Sequence, residues 1–380
     1  MSLSVGLNAS ILRAPRTGIG HYLTELAAAL SASGELELKL FTGWGWQAEL
    51  PAAPLPGYSH WAGLAKRWVP NAYRVRRWVE QQRFAAGLRR QPLALYHEPS
   101  LWPLEFDGPM VLTLHDLTHV RYPETQPRDR LAEIERQAAR GVQRARRVLV
   151  DSHFIADEVR AYYGLTPEQV VVAPLGCAAR FHPREPAALR EPLQALGVAP
   201  GGYLLCVGTL EPRKNLALAL RAYQRLPASL RARFPLLIAG MAGWRRERFA
   251  DELERGLAGG QVRLLGYQDD RTLAQLVAGA RLLLFPSLYE GFGLPVLEAM
   301  ASGTPVVLTA SAALPEVAGA AGTYIDPFDE IAGAEAICEL LEDEQQWQRL
   351  RAAGLQRAEQ FSWQRCAAIT ANVYRQVMES

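Results

Sequence analysis

LLLFPSLYEGFGLPVLEAMASGTPVVL, residues 282–308, carries the reading of the fold. An apolar run, Leu282–Phe285, empties into a loop bearing Gly291 and Gly293; a helical stretch follows, and a second apolar run, Pro305–Leu308, closes the unit. Two short runs joined through a helix indicate parallel strands, because a parallel pair needs a long crossover. Pro295 falls where the first turn of that helix accepts it, since its missing N–H would be unpaired there anyway. The helix N-terminus is then an anion site, with amides around Gly293 and Leu294 aimed at a phosphate and the helix dipole adding attraction. Glu290 in the loop and Glu298 on the first turns can flank a bound nucleotide sugar at different depths, Glu298 against a ribose diol and Glu290 against the sugar.

The same alternation extends in both directions, which predicts an α/β protein with parallel sheets covered by helices. Strands are expected at Leu3–Leu7, Leu36–Phe41, Leu93–His97, Met110–His115, Arg147–Asp151 and Val170–Ala173, with helices over Ile19–Ser31, about 64–91 and Pro127–Arg144. A second series begins at Tyr203–Gly208 and continues through Leu236–Ala239, Val262–Leu265, Leu282–Phe285 and Pro305–Leu308. At 380 residues the chain exceeds what one core usually supports. Two Rossmann-like domains are expected, 1–178 and 201–360, facing a central cleft. The Pro- and Arg-rich stretch 179–200 would link them, and a C-terminal helix, 361–380, would cross back to the first.

VGTLEPRKNL, residues 207–216, puts Arg213 and Lys214 beyond a strand at the entry to a helix, where two cations can neutralise a diphosphate leaving group. ILRAPRTGIGHYL, residues 11–23, sets Gly18 and Gly20 between a strand and a helix, permitting close approach to a ligand phosphate or sugar. It fails as a dinucleotide fingerprint because Leu23 stands where a third glycine belongs, which disfavours an NAD-dependent oxidoreductase. VLTLHDLTH ends a strand on His115 and Asp116, with His119 a loop or packing residue, while His97 and Glu98 in LYHEPS can line an acceptor side.

Taken together, TGIGHY, VLTLHD, DSHFIADEV, APLGCAARFHP, VGTLEPRKN, LLGYQDDRTL, the 285–307 string and LPEVAGAAGTYIDP, in that order, resemble family 4 of the retaining nucleotide-sugar glycosyltransferases, of GT-B fold, nearly end to end. The family includes bacterial mannosyl- and rhamnosyltransferases of surface-polysaccharide assembly. The resemblance implies a donor held by the C-terminal domain, with Arg213 and Lys214 on the diphosphate, Glu298 on the ribose, and Glu290 with the Gly291, Phe292, Gly293 and Leu294 backbone on sugar and phosphate. His115 would contact the transferred sugar, and the base would sit near Gly266 and Tyr267. Many members carry arginine where this chain has Thr209, so the phosphate role leans on the 213–214 pair. The donor would be a nucleotide diphosphate sugar, GDP-linked by analogy, and the acceptor a lipid-linked saccharide. Neither a hydrolysing epimerase nor a non-catalytic nucleotide-sugar-binding scaffold is excluded.

No Asp-x-Asp motif occurs, so no metal or other cofactor is expected, and loss of Glu290 or Lys214 is expected to cost activity with little change in stability. Basic and acidic residues, 41 against 39, nearly cancel, and nothing recruits nucleic acid. Cys177, Cys206, Cys338 and Cys366 are far apart, which suggests free thiols in a reducing compartment, and with no leader-like or spanning apolar run the expected location is the cytoplasm. The exception to the even charge is residues 64–91. Lys66, Arg67, Arg74, Arg76, Arg77, Arg83, Arg89 and Arg90 stand against the single acid Glu80, interleaved with Trp68, Tyr73, Trp78 and Phe84. Such a segment suits peripheral docking on the inner face of the cell membrane.

Overall fold

The computed structural model describes residues 3–13, 18–50, 72–125, 128–241, 243 and 249–379. The chain forms two compact units, one of Met1–Leu117, Asp129–Gly176 and Trp363–Ser380, the other of Thr118–Arg128 and Cys177–Ser362. The first holds β1 (Leu3–Asn8), β2 (Leu36–Phe41), β3 (Trp46–Gln47), β4 (Leu95–Glu98), β5 (Met110–Leu114), β6 (Arg147–Val150) and β7 (Val170–Val172). They lie in the order β3-β2-β1-β4-β5-β6-β7, parallel except for β3, a two-residue edge strand that is too short to show a period of its own. The reversal of order falls between β1 and β4, so the loops leaving those strands diverge there and open a crevice.

The second unit holds β8 (Leu204–Val207), β9 (Leu236–Ala239), β10 (Val262–Gly266), β11 (Leu282–Phe285), β12 (Val306–Thr309) and β13 (Gly322–Ile325), all parallel, in the order β10-β9-β8-β11-β12-β13. Its switch point is between β8 and β11. Strand β13 has only partly buried or exposed residues, so no apolar run announces it. Leu204, Leu236, Ile238, Leu282 and Leu284 form one core with Leu220, Tyr223, Ile337 and Leu340 from the helices above them.

Two features differ from the sequence expectation. Residues 179–200 are no bare linker: a helix, Pro186–Gln194, is part of the second unit, where Leu189 and Leu193 approach Gly279. The segment Thr118–Arg128 leaves the first unit's chain to join the second, and Tyr122 packs there on Tyr289, ring centroids 5.6 Å apart. The C-terminal helix, Trp363–Glu379, belongs to the first unit, with Tyr374 Oη 2.6 Å from His97 Nδ1.

The basic segment is also revised. Its first part, with Lys66, Arg67 and Trp68, lies outside the described residues, as do the side chains of Tyr73 and Arg74. The helix Ala72–Arg90 is anchored by Phe84, which is fully buried against Phe41 and Tyr96 and cannot sit in headgroups. Arg77 donates to the Pro103 carbonyl and to Gln137, and Arg76 pairs with Glu80. What faces water is Trp78, 63% exposed, and Val75, with Arg83 stacked 4.6 Å over the half-exposed Trp44. All four cysteines are free, Cys206 and Cys366 buried and the other two partly so.

Candidate functional site

The switch point of the second sheet brings together the residues singled out at two strand ends. Strand β8 continues into residues 208–211 and a single 3-10 turn, Pro212–Lys214, which Asn215 terminates in a left-handed conformation. Strand β11 continues into the loop 286–293. A backbone bond from Leu288 N–H to the Arg213 carbonyl, 2.7 Å, knits the two loops. Glu290 is buried between the cations: Lys214 Nζ donates to Oε1 at 2.6 Å, and Arg213 Nη1 to Oε2 at 3.1 Å and to the Tyr289 carbonyl at 2.9 Å. Glu211, also buried, pairs with Arg213 Nε at 2.7 Å.

Electrostatics follow from that packing. Burial raises the Glu290 carboxyl, but Lys214 and Arg213 overcome it and hold the pKa at about 2. Burial lowers the Lys214 ammonium, which Glu290 only partly restores against the repulsion of Arg213. The result is a preformed cluster in which two cations, Lys214 and Arg213, are balanced by two buried carboxylates, Glu290 and Glu211. Gly208, Thr209, Lys214, Phe285, Pro286 and Ser287 line a hollow at this spot.

The helix Leu294–Ala301 starts as the sequence suggested. Gly293 caps it with φ +106°, and a Cβ there would lie 2.6 Å from Leu314 Cδ2, so only glycine fits. Val296 and Leu297 N–H both return to the Gly293 carbonyl and Pro295 has none to give, so of the first turn's amides only that of Leu294 lies outside the helix's own hydrogen bonds. Gly291 and Phe292 lie in the preceding loop, and Glu298 is buried on the second turn of the helix. Gly266 ends β10 and accepts a hydrogen bond from Gly240 N–H at 2.9 Å; the adjacent Tyr267 is half exposed.

Gly18, Gly20 and His115 belong to the first unit. Gly18 opens the helix Gly18–Ala32 with open space where a side chain would go, and Gly20, two residues on in the same first turn, is buried. His115 Nδ1 lies 2.7 Å from Asp151 Oδ2, and the ring packs edge-on against Tyr22. Burial lowers its pKa, but Asp151 and Asp116 more than reverse this, and the group ends above the ordinary histidine value.

His97 and Glu98 do not line an open surface. Both are buried. His97 is braced between Thr113 and Tyr374, and burial together with the nearby His115 drives it to about 3, so it is neutral. Glu98 accepts from Asn8 Nδ2 at 2.7 Å, Tyr96 Oη at 2.5 Å and Ser100 Oγ at 2.6 Å, which ties the β1 and β4 ends at the switch point. Burial lifts it to about 7 despite those donors. His119 is buried, as a packing residue should be.

Sequence reasoning missed Glu211, Asp151, Asn8 and Gly240. Each lies at or just past a strand's C-terminal end, a positional signal that alternation alone leaves unweighted. Among the described residues no group of three His, Cys, Asp or Glu side chains stands as metal ligands would, and no helix is long and apolar enough to cross a membrane.

Comparison with known proteins agrees with this architecture. A profile described as "Glycosyl transferases group 1" matches residues 199–357, and one described as "Glycosyltransferase Family 4" matches residues 16–179. The O-antigen chain mannosyltransferase B of Escherichia coli is 36% identical over 370 residues, 96% of this chain and 97% of that protein. The sucrose-phosphate synthase of Thermosynechococcus elongatus superposes with a TM-score of 0.78 at 22% identity, 99% of each chain covered. WaaG, a glycosyltransferase involved in lipopolysaccharide biosynthesis, gives 0.73 at 20%, covering 98% of this chain and 99% of that one. At such identities these two structures speak to the fold alone. The chain therefore belongs to the group 1, family 4 glycosyltransferases and has the GT-B fold.

Proposed function

We propose that this glycosyltransferase moves a hexose, mannose first among candidates, from a GDP-linked donor to a lipid-linked saccharide in surface-polysaccharide assembly, with retention and without a metal. The observation that carries the reading is Glu290 held between Lys214 and Arg213 at the switch point, beside a helix N-terminus. In the reaction the bond from the anomeric carbon to the donor phosphate oxygen breaks and the acceptor oxygen bonds the same face of that carbon. The acceptor proton passes to the departing phosphate. Charge growing on the nucleoside diphosphate meets two cations and a helix dipole already in place. Mannose is favoured by the relative named an O-antigen chain mannosyltransferase, and rhamnose is the second candidate.

A thermal-shift series with GDP, UDP and ADP tests the donor. At a hundred times its dissociation constant the matching nucleotide should raise the melting temperature by roughly 2–4 °C, and the order is expected to begin with GDP. Transfer from GDP-mannose should survive EDTA. Strict dependence on added manganese or magnesium would refute the metal-free reading and turn attention to Asp269 and Asp270.

We also place the first unit at the cytoplasmic face of the membrane, where a lipid-linked acceptor resides. The face that supports this is Val75, Trp78 and Trp44 with Arg83, Arg89 and Arg90, because exposed tryptophan suits headgroup depth and each arginine near an anionic leaflet contributes on the order of 1 kcal/mol. The chain should sediment with phosphatidylglycerol vesicles at low salt. Changing Arg83, Arg89 and Arg90 together to Glu should abolish most of that binding, as should high salt. A wild type that stays in the supernatant at low salt would discard membrane docking and leave the transferase reading untouched.

A further inference from the structure

On the reading that His115 reaches the transferred sugar, we propose that Asp151 is the positioning residue that orients its ring and fixes which nitrogen faces the substrate. Strands β5 and β6 pair with Leu114 opposite Val150, so His115 and Asp151, each one residue past its strand, stand side by side. The carboxylate is 3% exposed and its Oδ2 lies 2.7 Å from Nδ1. Its backbone is fixed by the next residue, since Ser152 caps the helix His153–Tyr163 by accepting from Ile155 N–H at 3.2 Å. On the ring's other side stands Tyr22, 4.5 Å centroid to centroid. Tyr22 is fixed in turn: its hydroxyl is 3.1 Å from Thr113 Oγ1, which is 2.7 Å from His97 Nε2, and His97 Nδ1 meets the Tyr374 hydroxyl.

The second ring nitrogen, Nε2, is buried and forms no hydrogen bond with the protein. A buried polar atom without a hydrogen bond costs about 1–3 kcal/mol, so a fold that pins Nδ1 and gives Nε2 no hydrogen-bonded protein partner favours a ligand on that nitrogen. An ionised carboxylate can only accept, so Nδ1 keeps a proton. Below the histidine's raised pKa, Nε2 also carries one and donates to the sugar. The groups around the ring act together. Asp151 from β6 and Asp116 on its own strand end favour the charged ring, as does the Pro99 carbonyl; His97 from β4 is neutral, and Tyr22 and Tyr374 are held protonated by burial.

The test compares wild type, Asp151→Asn, Asp151→Glu, His115→Ala and the Asp151→Asn/His115→Ala double variant in GDP release from GDP-mannose. Asp151→Asn should lower kcat roughly a hundredfold with KM within about threefold, and Asp151→Glu should recover at least about tenfold of that. Because the carboxylate raises the histidine's pKa, its loss should move the alkaline limb of the kcat profile to lower pH. The double variant should be no slower than His115→Ala, since a residue acting through another adds nothing once that one is gone. Asp151→Asn with wild-type kcat and pH profile, beside an inactive His115→Ala, overturns the positioning role. A fully active His115→Ala instead overturns the placing of His115 at the sugar. If Asp151→Asn does not melt cooperatively, or GDP-mannose is not turned over, the imidazole 15N resonances of the wild type decide: a proton on Nδ1 and titration above 6.5 uphold the assignment, whereas a neutral ring protonated only at Nε2 rejects it.

Discussion

Replacing Lys214 by alanine is expected to lower turnover at least about a hundredfold, and replacing Glu290 by alanine to do the same while also lowering the melting temperature. The first effect is the loss of one preorganised charge at the leaving phosphate, on the order of 3 kcal/mol in the barrier. The second departs from the expectation, drawn from sequence, that stability would hardly change. Lys214→Ala leaves the buried carboxylate still paired with Arg213. Glu290→Ala leaves Lys214 and Arg213 together without their shared anion, and breaking such a buried pair costs about 3–5 kcal/mol. Glu290→Gln keeps the shape and removes the charge, which separates packing from electrostatics. The sign with pH follows from the depressed carboxyl. The native value of about 2 lies below the ordinary one, so the stabilisation is whole above pH 4.5 and is lost as pH falls from there towards 2. Melting curves of wild type and Glu290→Gln should therefore converge in acid. If Lys214→Ala and Glu290→Gln both transfer within tenfold of wild type, the reaction takes place elsewhere.

Gly240→Ala is the second large effect expected. Strands β8 and β9 end so close together that a Cβ at Gly240 would lie 1.8 Å from the Gly208 carbonyl oxygen. That neighbour is backbone, itself held by the bond from Gly208 N–H to the Ala239 carbonyl at 3.0 Å, and cannot rotate away as a side chain would. Overpacking of this kind costs about 1–3 kcal/mol or more and moves the chain that carries it. The loop displaced is the one leading to Arg213 and Lys214, so the variant should melt several degrees lower and also lose the stabilisation that GDP provides. Melting curves with and without GDP measure both. A variant that melts with wild type and still responds to GDP would mean that the strand ends separate freely.

The route from sequence to site was direct where chemistry lies in consecutive residues. Arg213 and Lys214 are adjacent, Glu290 and Gly293 share one loop, and Pro295 marks the helix that follows, so strand, loop and helix N-terminus could be assigned from 207–216 and 282–308 without knowing the strand order. Apolar runs likewise revealed the parallel character of both sheets, because a strand covered on both faces needs apolar residues throughout. Reading side-chain type alone failed for residues 64–91, where Phe84 and Trp78 look equivalent yet one is buried beneath the helix and the other faces water.

What the sequence by itself determined was the set of elements and the residue types at strand ends, since helix and strand periods are local and burial imposes them residue by residue. Only the tertiary structure decided which strand ends are neighbours. Asn8 meets Glu98 across 90 positions, Lys214 meets Glu290 across 76, and His115 meets Asp151 across 36. Sheet order and register create these pairs, and burial then makes each carboxylate depend on its partner, so their charge states and roles are properties of the assembled sheets that no stretch of chain contains alone.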